Sequence, residues 1–203
     1  GVSDAVEVVA GGAHTCARRQ GGSVVCWGAN SSGQIGDGTL TARITPTAVS
    51  GLSDAIRLSS YNVHTCALRR GGTVVCWGNN NRGQLGDSTM TNRATPVTVV
   101  GLTGVAGIAT GLQHSCAYTG SGALHCWGDN AFGQLGDGTT ANFATPVPVS
   151  GIADAVDVAS GDRHTCALRR SGALMCWGSG SDGQIGDGNI VNIRSRPVAV
   201  TLP

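Results

Sequence analysis

His14, Cys16 and Cys26 are the first side chains in the sequence that could do chemistry. The same trio returns as His64, Cys66 and Cys76, as His114, Cys116 and Cys126, and as His164, Cys166 and Cys176. A histidine near a thiol can pair a base with a nucleophile. One His and two Cys can begin a zinc site. Two Cys alone can oxidise to a disulfide. Spacing separates these readings. Two residues along a strand span roughly 6.5–7 Å, beyond hydrogen-bond reach, so His14 cannot directly activate Cys16. A catalytic pair is also not expected four times over in one chain. We therefore expect no enzyme, no catalytic residues and no cofactor. Paired Cys ligands of zinc usually stand about two to four residues apart. Here the separation is ten, and no fourth ligand is evident. No metal site is expected, although metal is the chief rival to the disulfide reading.

Turn chemistry favours disulfides. If Cys16 lies opposite Cys26 in a hairpin, Arg18 faces Val24 and Arg19 faces Ser23, leaving Gln20, Gly21 and Gly22 as the loop. Three-residue loops favour a type I turn closed by a left-handed residue, usually glycine. Gly22, Gly72, Gly122 and Gly172 occupy that place. Directly opposed antiparallel residues lie about 4.5–5.5 Å apart at Cα, within disulfide range. Each bridge closes a short loop and stabilises by at most about 3 kcal/mol. The expected pairs are Cys16–Cys26, Cys66–Cys76, Cys116–Cys126 and Cys166–Cys176. Four such pairs imply an oxidising compartment, hence a secreted, periplasmic or cell-surface protein.

The elements that would hold these residues repeat every 50 positions. Cys-Trp-Gly begins at Cys26, Cys76, Cys126 and Cys176, and Gly-Gln-(Ile/Leu)-Gly-Asp at Gly33, Gly83, Gly133 and Gly183. Each copy reads as four short strands, near Val6–Ala10, His14–Arg19, Ser23–Gly28 and Pro46–Ser50 in the first, with proline at the start of the last. Four strands per repeat fit a propeller blade. The run Ser-Val-Val-Cys-Trp is apolar on both faces, as in a sheet sandwiched between neighbours. The fold class is therefore all-β, a β-propeller of four-stranded blades. It is read as a single repeat domain over 1–203, with repeats 1–50, 51–100, 101–150 and 151–203. The fourth copy carries one extra residue between Asn189 and Arg196.

The string His64-Thr65-Cys66-Ala67-Leu68, then Gly72-Thr73-Val74, Trp77-Gly78-Asn79 and Gly83-Gln84-Leu85-Gly86, resembles the repeat of the regulator of chromosome condensation family. The resemblance recurs in all four copies and covers essentially the whole chain. It implies a β-propeller whose relatives share a protein-binding face rather than one reaction. They include a nucleotide exchange factor on chromatin, a plant UV-B photoreceptor and a secreted bacterial β-lactamase inhibitor. The systematic Cys pairs depart from the general pattern and place the chain closest in style to secreted bacterial members. Well-known members have seven blades, and only four repeats are here. The terminal segment Arg196-Pro197-Val198-Ala199-Val200 is read as a strand able to complete the first blade. A closed four-bladed ring, self-association of two chains into a larger ring, and an excerpt of a longer array all stay open.

Composition narrows the partners. Net charge is +1, and all 13 basic residues are arginine. That balance argues against a nucleic-acid clamp. No apolar run approaches the roughly 20 residues of a membrane span. The chain begins at Gly1 rather than Met, so it reads as a mature or trimmed product. The tryptophans Trp27, Trp77, Trp127 and Trp177 read as packing between blades. Gly-Asp-Gly-Thr at Gly36–Thr39 reads as a turn, lacking the ligand run of a calcium loop. Asn30-Ser31-Ser32 is a glycosylation sequon.

In a repeat protein the constant residues hold the scaffold, and the variable ones can carry recognition. The pair before each His varies: Gly12-Ala13, Asn62-Val63, Leu112-Gln113 and Asp162-Arg163. The loop after Trp-Gly varies through Arg82, Phe132 and Asp182, and the segment after Gly-Asp through Arg43, Arg93, Phe143 and Ile193. The expected partner-binding residues are Asn62, Val63, Leu112, Gln113, Asp162 and Arg163, with Arg82 and Phe132 as a second set. The expected function is an extracytoplasmic protein-binding scaffold, such as an inhibitor or a surface interaction module. The alternative is a carbohydrate-binding or adhesive surface component. A lectin would repeat exposed aromatics in every copy, whereas Tyr61, Tyr118, Phe132 and Phe143 stand at non-equivalent positions.

Overall fold

In the computed structural model of the chain, residues 2–201 are described; Gly1, Leu202 and Pro203, at the outer ends of the first and last repeats, lie outside them. The described residues form sixteen strands and no helix. The first sheet holds β1 (Ala5–Ala10), β2 (His14–Arg19), β3 (Val24–Gly28) and β4 (Arg43–Ala48). The second holds β5 (Ala55–Tyr61), β6 (His64–Arg69), β7 (Val74–Gly78) and β8 (Arg93–Thr98). The third holds β9 (Val105–Thr110), β10 (His114–Thr119), β11 (Leu124–Gly128) and β12 (Phe143–Pro148). The fourth holds β13 (Ala155–Ser160), β14 (His164–Arg169), β15 (Leu174–Gly180) and β16 (Val191–Ala199). Each sheet is an antiparallel meander in chain order, one per repeat.

The central hairpin takes the register set by its turn. Cys16 faces Cys26 and Arg18 faces Val24. Arg19 N donates to Ser23 O at 2.8 Å, and Gly22, at φ 101°, closes the loop in the left-handed region. All four expected disulfides are present, each with its Cα atoms 4.1 Å apart. Both thiols of every pair are consumed, so no thiolate is left for zinc.

The outer strand departs from the expected reading. Pro46 lies inside β4 rather than at its start. The register jumps from Cys26↔Thr47 to Gly28↔Arg43, leaving Ile44 to Pro46 bulged opposite Trp27. An edge bulge accommodates proline because its missing N–H is not called on by the ladder. The fourth repeat goes further. Asn30, Asn80 and Asn130 each bind the Asp turn beside them, but the equivalent residue is Gly180. There the hairpin lengthens, with Gly180 pairing to Val191. The added residue also moves the equivalence: Gly178 pairs with Arg194, as Gly28 does with Arg43, so Arg194 and not Ile193 is the counterpart of Arg43.

The core lies between sheets. Cys16, Val24, Cys26, Ile35 and Val49 of the first blade pack on Leu52, Ala55, Leu58, Ala67, Val75 and Trp77 of the second. Two further clusters repeat this pattern at the next two interfaces. Each blade thus has a forward face carrying the disulfide and a backward face carrying the tryptophan. Trp77, Trp127 and Trp177 are fully buried there. The doubly apolar strand is accounted for in the middle of the chain, where Val74, Val75, Cys76 and Trp77 are all buried.

Of the readings left open for the ends, two are not seen in the described residues. The terminal strand does not complete the first blade: β16 pairs with β15 of its own sheet, and the first sheet has four strands of its own. A four-bladed ring does not close either. On the backward face of the first blade Val8 is 67% exposed, and on the forward face of the fourth Leu174 is 43% exposed. The blades form an open arc.

Candidate protein-binding face

The histidines are joints between blades. His14 Nε2 lies 2.8 Å from Thr65 Oγ1, His64 Nε2 2.9 Å from Ser115 Oγ, and His114 Nε2 2.9 Å from Thr165 Oγ1. Ser115 and Thr165 donate their hydroxyl protons to Gln84 O and Gln134 O. Their oxygens must therefore accept from His64 and His114, which fixes both as the Nε2–H tautomer. Burial, with no anionic partner, holds His14 down to about 4 and His64 and His114 to about 3. The neighbouring imidazoles depress His64 and His114 further. All three are neutral scaffold groups at neutral pH.

Beside each joint, tryptophan adds a second fixed bond. Trp77, Trp127 and Trp177 donate Nε1–H to Gln34 O, Gln84 O and Gln134 O, each at 2.9 Å. Sequence reasoning placed the tryptophans between blades but missed these acceptors. The available signal was the hydroxyl residue after every His and the constant Gln in Gly-Gln-(Ile/Leu)-Gly.

This frame brings the two variable sets together. Ala29 N donates to Ala13 O, Asn79 N to Val63 O, Asp129 N to Gln113 O and Ser179 N to Arg163 O, at 2.8–2.9 Å. A Cβ on Gly78 would stand 2.5 Å from Val63 O, so glycine is required for that approach. The pre-His segment and the loop after Trp-Gly are thereby held side by side in every blade. Their side chains meet across blade boundaries. Arg163 stacks on Phe132, with Cζ 4.6 Å from the ring centroid. Arg82 Nε stands 3.9 Å from Asp129 Oδ1.

Asn62, Leu112 and Asp162 line one open cleft of about 360 Å³ with Gly12 and Tyr61. Tyr61 donates to Asp162 Oδ1 at 2.5 Å, joining the second blade to the fourth. That bond raises the Tyr61 pKa. Asn62 adopts φ 49°, and its carbonyl accepts from Gly12 N at 2.7 Å. Asp162, Arg163 and Arg82 are exposed, while Asn62, Val63, Leu112, Gln113 and Phe132 are half-buried.

The third variable segment is scaffold. Arg43, Arg93 and Arg194 pair with Asp37, Asp87 and Asp187. Burial raises the Asp37 carboxyl, but hydrogen bonds from Thr39 and Arg43 outweigh it and keep the pKa below the usual range. The Gly-Asp-Gly-Thr motif is accordingly a bonded turn. Asn30 of the sequon is buried, its amide nitrogen bonded to Thr39 O and Thr41 O at 3.0 Å, so it cannot carry a glycan in this fold.

An arc of four-stranded antiparallel blades, clamped to one another by His-hydroxyl and Trp-carbonyl bonds, defines a propeller-type interaction scaffold. The chain belongs to the regulator of chromosome condensation (RCC1) repeat family, whose profiles match residues 5–34, 56–84, 105–134 and 155–184, and again 71–118 and 121–168. Comparison with curated proteins gives no sequence match. Among solved structures it is similar to human WBSCR16, at 25% identity and TM-score 0.87, over 98% of this chain and 53% of that one. It is similar to Prp20p of Saccharomyces cerevisiae, at 22% and 0.84, over 98% and 50%; that structure is described together with binding to Gsp1p and histones. The ectodomain of the receptor kinase CR4 from Physcomitrella patens matches at 24% and 0.57, over 86% and 41%. The chain spans about half the length of these proteins. Its four disulfides point to an oxidising environment, and no helix among the described residues is long and apolar enough to cross a membrane.

Proposed function

We propose that the chain is an extracytoplasmic protein-binding scaffold, an inhibitor or surface interaction module, that engages one partner through the face built by its pre-His segments. The observation that carries this reading is the convergence of variable side chains on a constant frame. Asn62, Leu112 and Asp162 share a cleft, and Arg163 is stacked on Phe132. Arginine and aromatic side chains are common energetic anchors in protein interfaces. Stacking pre-orders the long Arg163 side chain, reducing the entropy that binding must remove. That Prp20p is described with protein partners is in keeping with a protein-binding use of the fold.

The test is affinity capture from the secreted fraction of the producing cells, comparing the unaltered chain with Leu112→Ala/Arg163→Ala. A partner retained by the first should bind the double variant at least about tenfold more weakly, since truncating an anchor costs about 1–2 kcal/mol or more. The melting temperature should change little, because neither side chain lies in an inter-blade core and an exposed Arg–aromatic stack contributes only about 0.5–1 kcal/mol. Retention by both proteins would overturn this choice of face. Binding to a glycan array that survives the double substitution would favour the carbohydrate reading instead.

A further inference from the structure

One position of every repeat lines the same cleft. Gly12, Asn62, Leu112 and Asp162 follow one another at 50-residue steps, and all four border the opening of about 360 Å³ shared with Tyr61. That volume is near the lower end of ligand pockets, roughly 300–1,000 Å³. The first blade contributes only small residues to it, Gly11 and Gly12 among them. Asp162 is the one charged residue on its wall. This carboxylate forms no ion pair among the described residues, and the neighbouring Arg163 is turned onto the ring of Phe132 instead.

Tyr61 is out of step with the repeat. Its equivalents are Gly11, Gly111 and Gly161, and a Cβ on any of these would stand 2.2–2.3 Å from Cε1 of the following histidine. The second blade admits a side chain here by rebuilding its turn. β5 continues to Tyr61, which pairs with His64, so the strand has seven residues where β1, β9 and β13 have six. Asn62 then takes φ 49°, a left-handed conformation that residues other than glycine rarely adopt. Such local strain clusters at binding and catalytic sites. The His–hydroxyl and Trp–carbonyl joints are complete without Tyr61. What the rebuilt turn gains is a phenol that reaches the fourth blade and donates to Asp162 Oδ1, while the residue stays 36% exposed. Because Asp162 is turned toward the second blade, the cleft lies within the arc rather than on the outward faces of the first and fourth blades.

We propose that this cleft receives an arginine side chain of the protein partner. The proposal rests on the protein-binding face described above and names the chemistry at its centre. A carboxylate offers about four acceptor sites. Tyr61 fills one on Asp162, which leaves the others for guanidinium N–H groups. The exposed Tyr61 ring offers its face to the same cation, and Leu112 offers an apolar wall to the methylene stem. A planar guanidinium suits a site made of a carboxylate and an aromatic ring better than a strongly hydrated ammonium does. An anionic group would be repelled by Asp162, and an apolar one would desolvate that carboxylate without pairing it.

Nuclear magnetic resonance titration of the 203-residue chain with N-acetyl-arginine amide tests this. Saturable shifts are expected at the backbone amides of Tyr61, Asn62, Leu112 and Asp162. N-acetyl-citrulline amide, of the same shape without the charge, should bind at least about tenfold more weakly. Asp162→Asn keeps an oxygen for the Tyr61 hydroxyl and removes only the charge. It should weaken arginine binding by a similar factor while leaving the rest of the spectrum in place. Absence of saturable shifts in the cleft, equal binding of citrulline or N-acetyl-lysine amide, or an unaltered response in Asp162→Asn would each overturn the proposal. A captured partner separates this failure from that of the face as a whole. Full affinity for Asp162→Asn with loss of affinity for Leu112→Ala/Arg163→Ala would sink the arginine pocket and leave the face standing.

Discussion

The second and fourth blades carry nearly the same motif and sit in different environments. His64, Cys66, Leu68 and Val74 are buried against a following blade. Their counterparts His164, Cys166, Leu168 and Leu174 have no following blade among the described residues and are half-buried or exposed. The secondary structure is the same in both, β6 and β7 matching β14 and the first part of β15. The difference shows that a blade's strands follow from its own sequence, whereas burial comes from its neighbour. In such arrays stability is approximately a sum of repeat and nearest-neighbour terms. The same substitution should therefore act differently at an inner joint and at an end.

Acid should reveal the largest difference. His14, His64 and His114 are held neutral in the fold, at about 4, 3 and 3, whereas an unfolded imidazole titrates near 6.5. The unfolded chain then binds more protons below that value. The stability these residues contribute is complete above pH 6.5 and falls as pH drops toward their folded values. Each such group contributes a slope of up to about 1.4 kcal/mol per pH unit. Urea unfolding from pH 6.5 down to about 4.5, before ordinary carboxylates join in, should show this decline. His64→Gln should flatten it by roughly a third, removing one of three such groups. His164→Gln should change it least, because His164 is only partly desolvated and Asp162 opposes the shift. Equal slopes for the two variants would break the contrast.

Tryptophan truncation comes next. Trp127→Ala empties a fully buried site and leaves Gln84 O without its indole donor. A loss of about 3–5 kcal/mol is expected. Trp27→Ala should lose less than about half of that, since this indole is only half-buried and has no joint partner among the described residues. A smaller effect follows for the loops. Asn80→Ala removes an amide that bonds Asp87 and Thr89 and accepts from Leu85 N. It should cost about 1–3 kcal/mol by thermal melting. Gly180→Asn should not gain that amount, because a Cβ there meets Val191 O at 2.7 Å.

The smallest effect is kinetic. Cys166–Cys176 lies on the open forward face, with Cys166 half-buried, while the other three bridges are covered by the next blade. Limited reduction and alkylation followed by peptide mass mapping should label Cys166 and Cys176 first. Labelling of Cys66 or Cys116 as early as Cys166 would mean that blade contacts do not shield the bridges.

The fifty-residue period, the four-strand blade, the hairpin register and the disulfide pairing were all legible in the sequence. The period and the blade are plain because the same motifs return four times, and the register and pairing because they are set within about 15 residues, where a turn glycine and two cysteines constrain one another directly. The position of Pro46 was misread because the bulge that admits it depends on pairing with β3, not on the local run. The hydroxyl joints were missed because donor and acceptor lie 51 residues apart, on different sheets. Tyr61 and Asp162 meet from 101 residues apart, which no local pattern encodes. The pre-His residues were visible as variation, but only the folded backbone showed that they stand beside the loops of Arg82 and Phe132. The open ends are likewise a product of the tertiary arrangement. Sequence gave every blade the same two apolar faces, and packing in a line buries all of them except the first backward face and the last forward face.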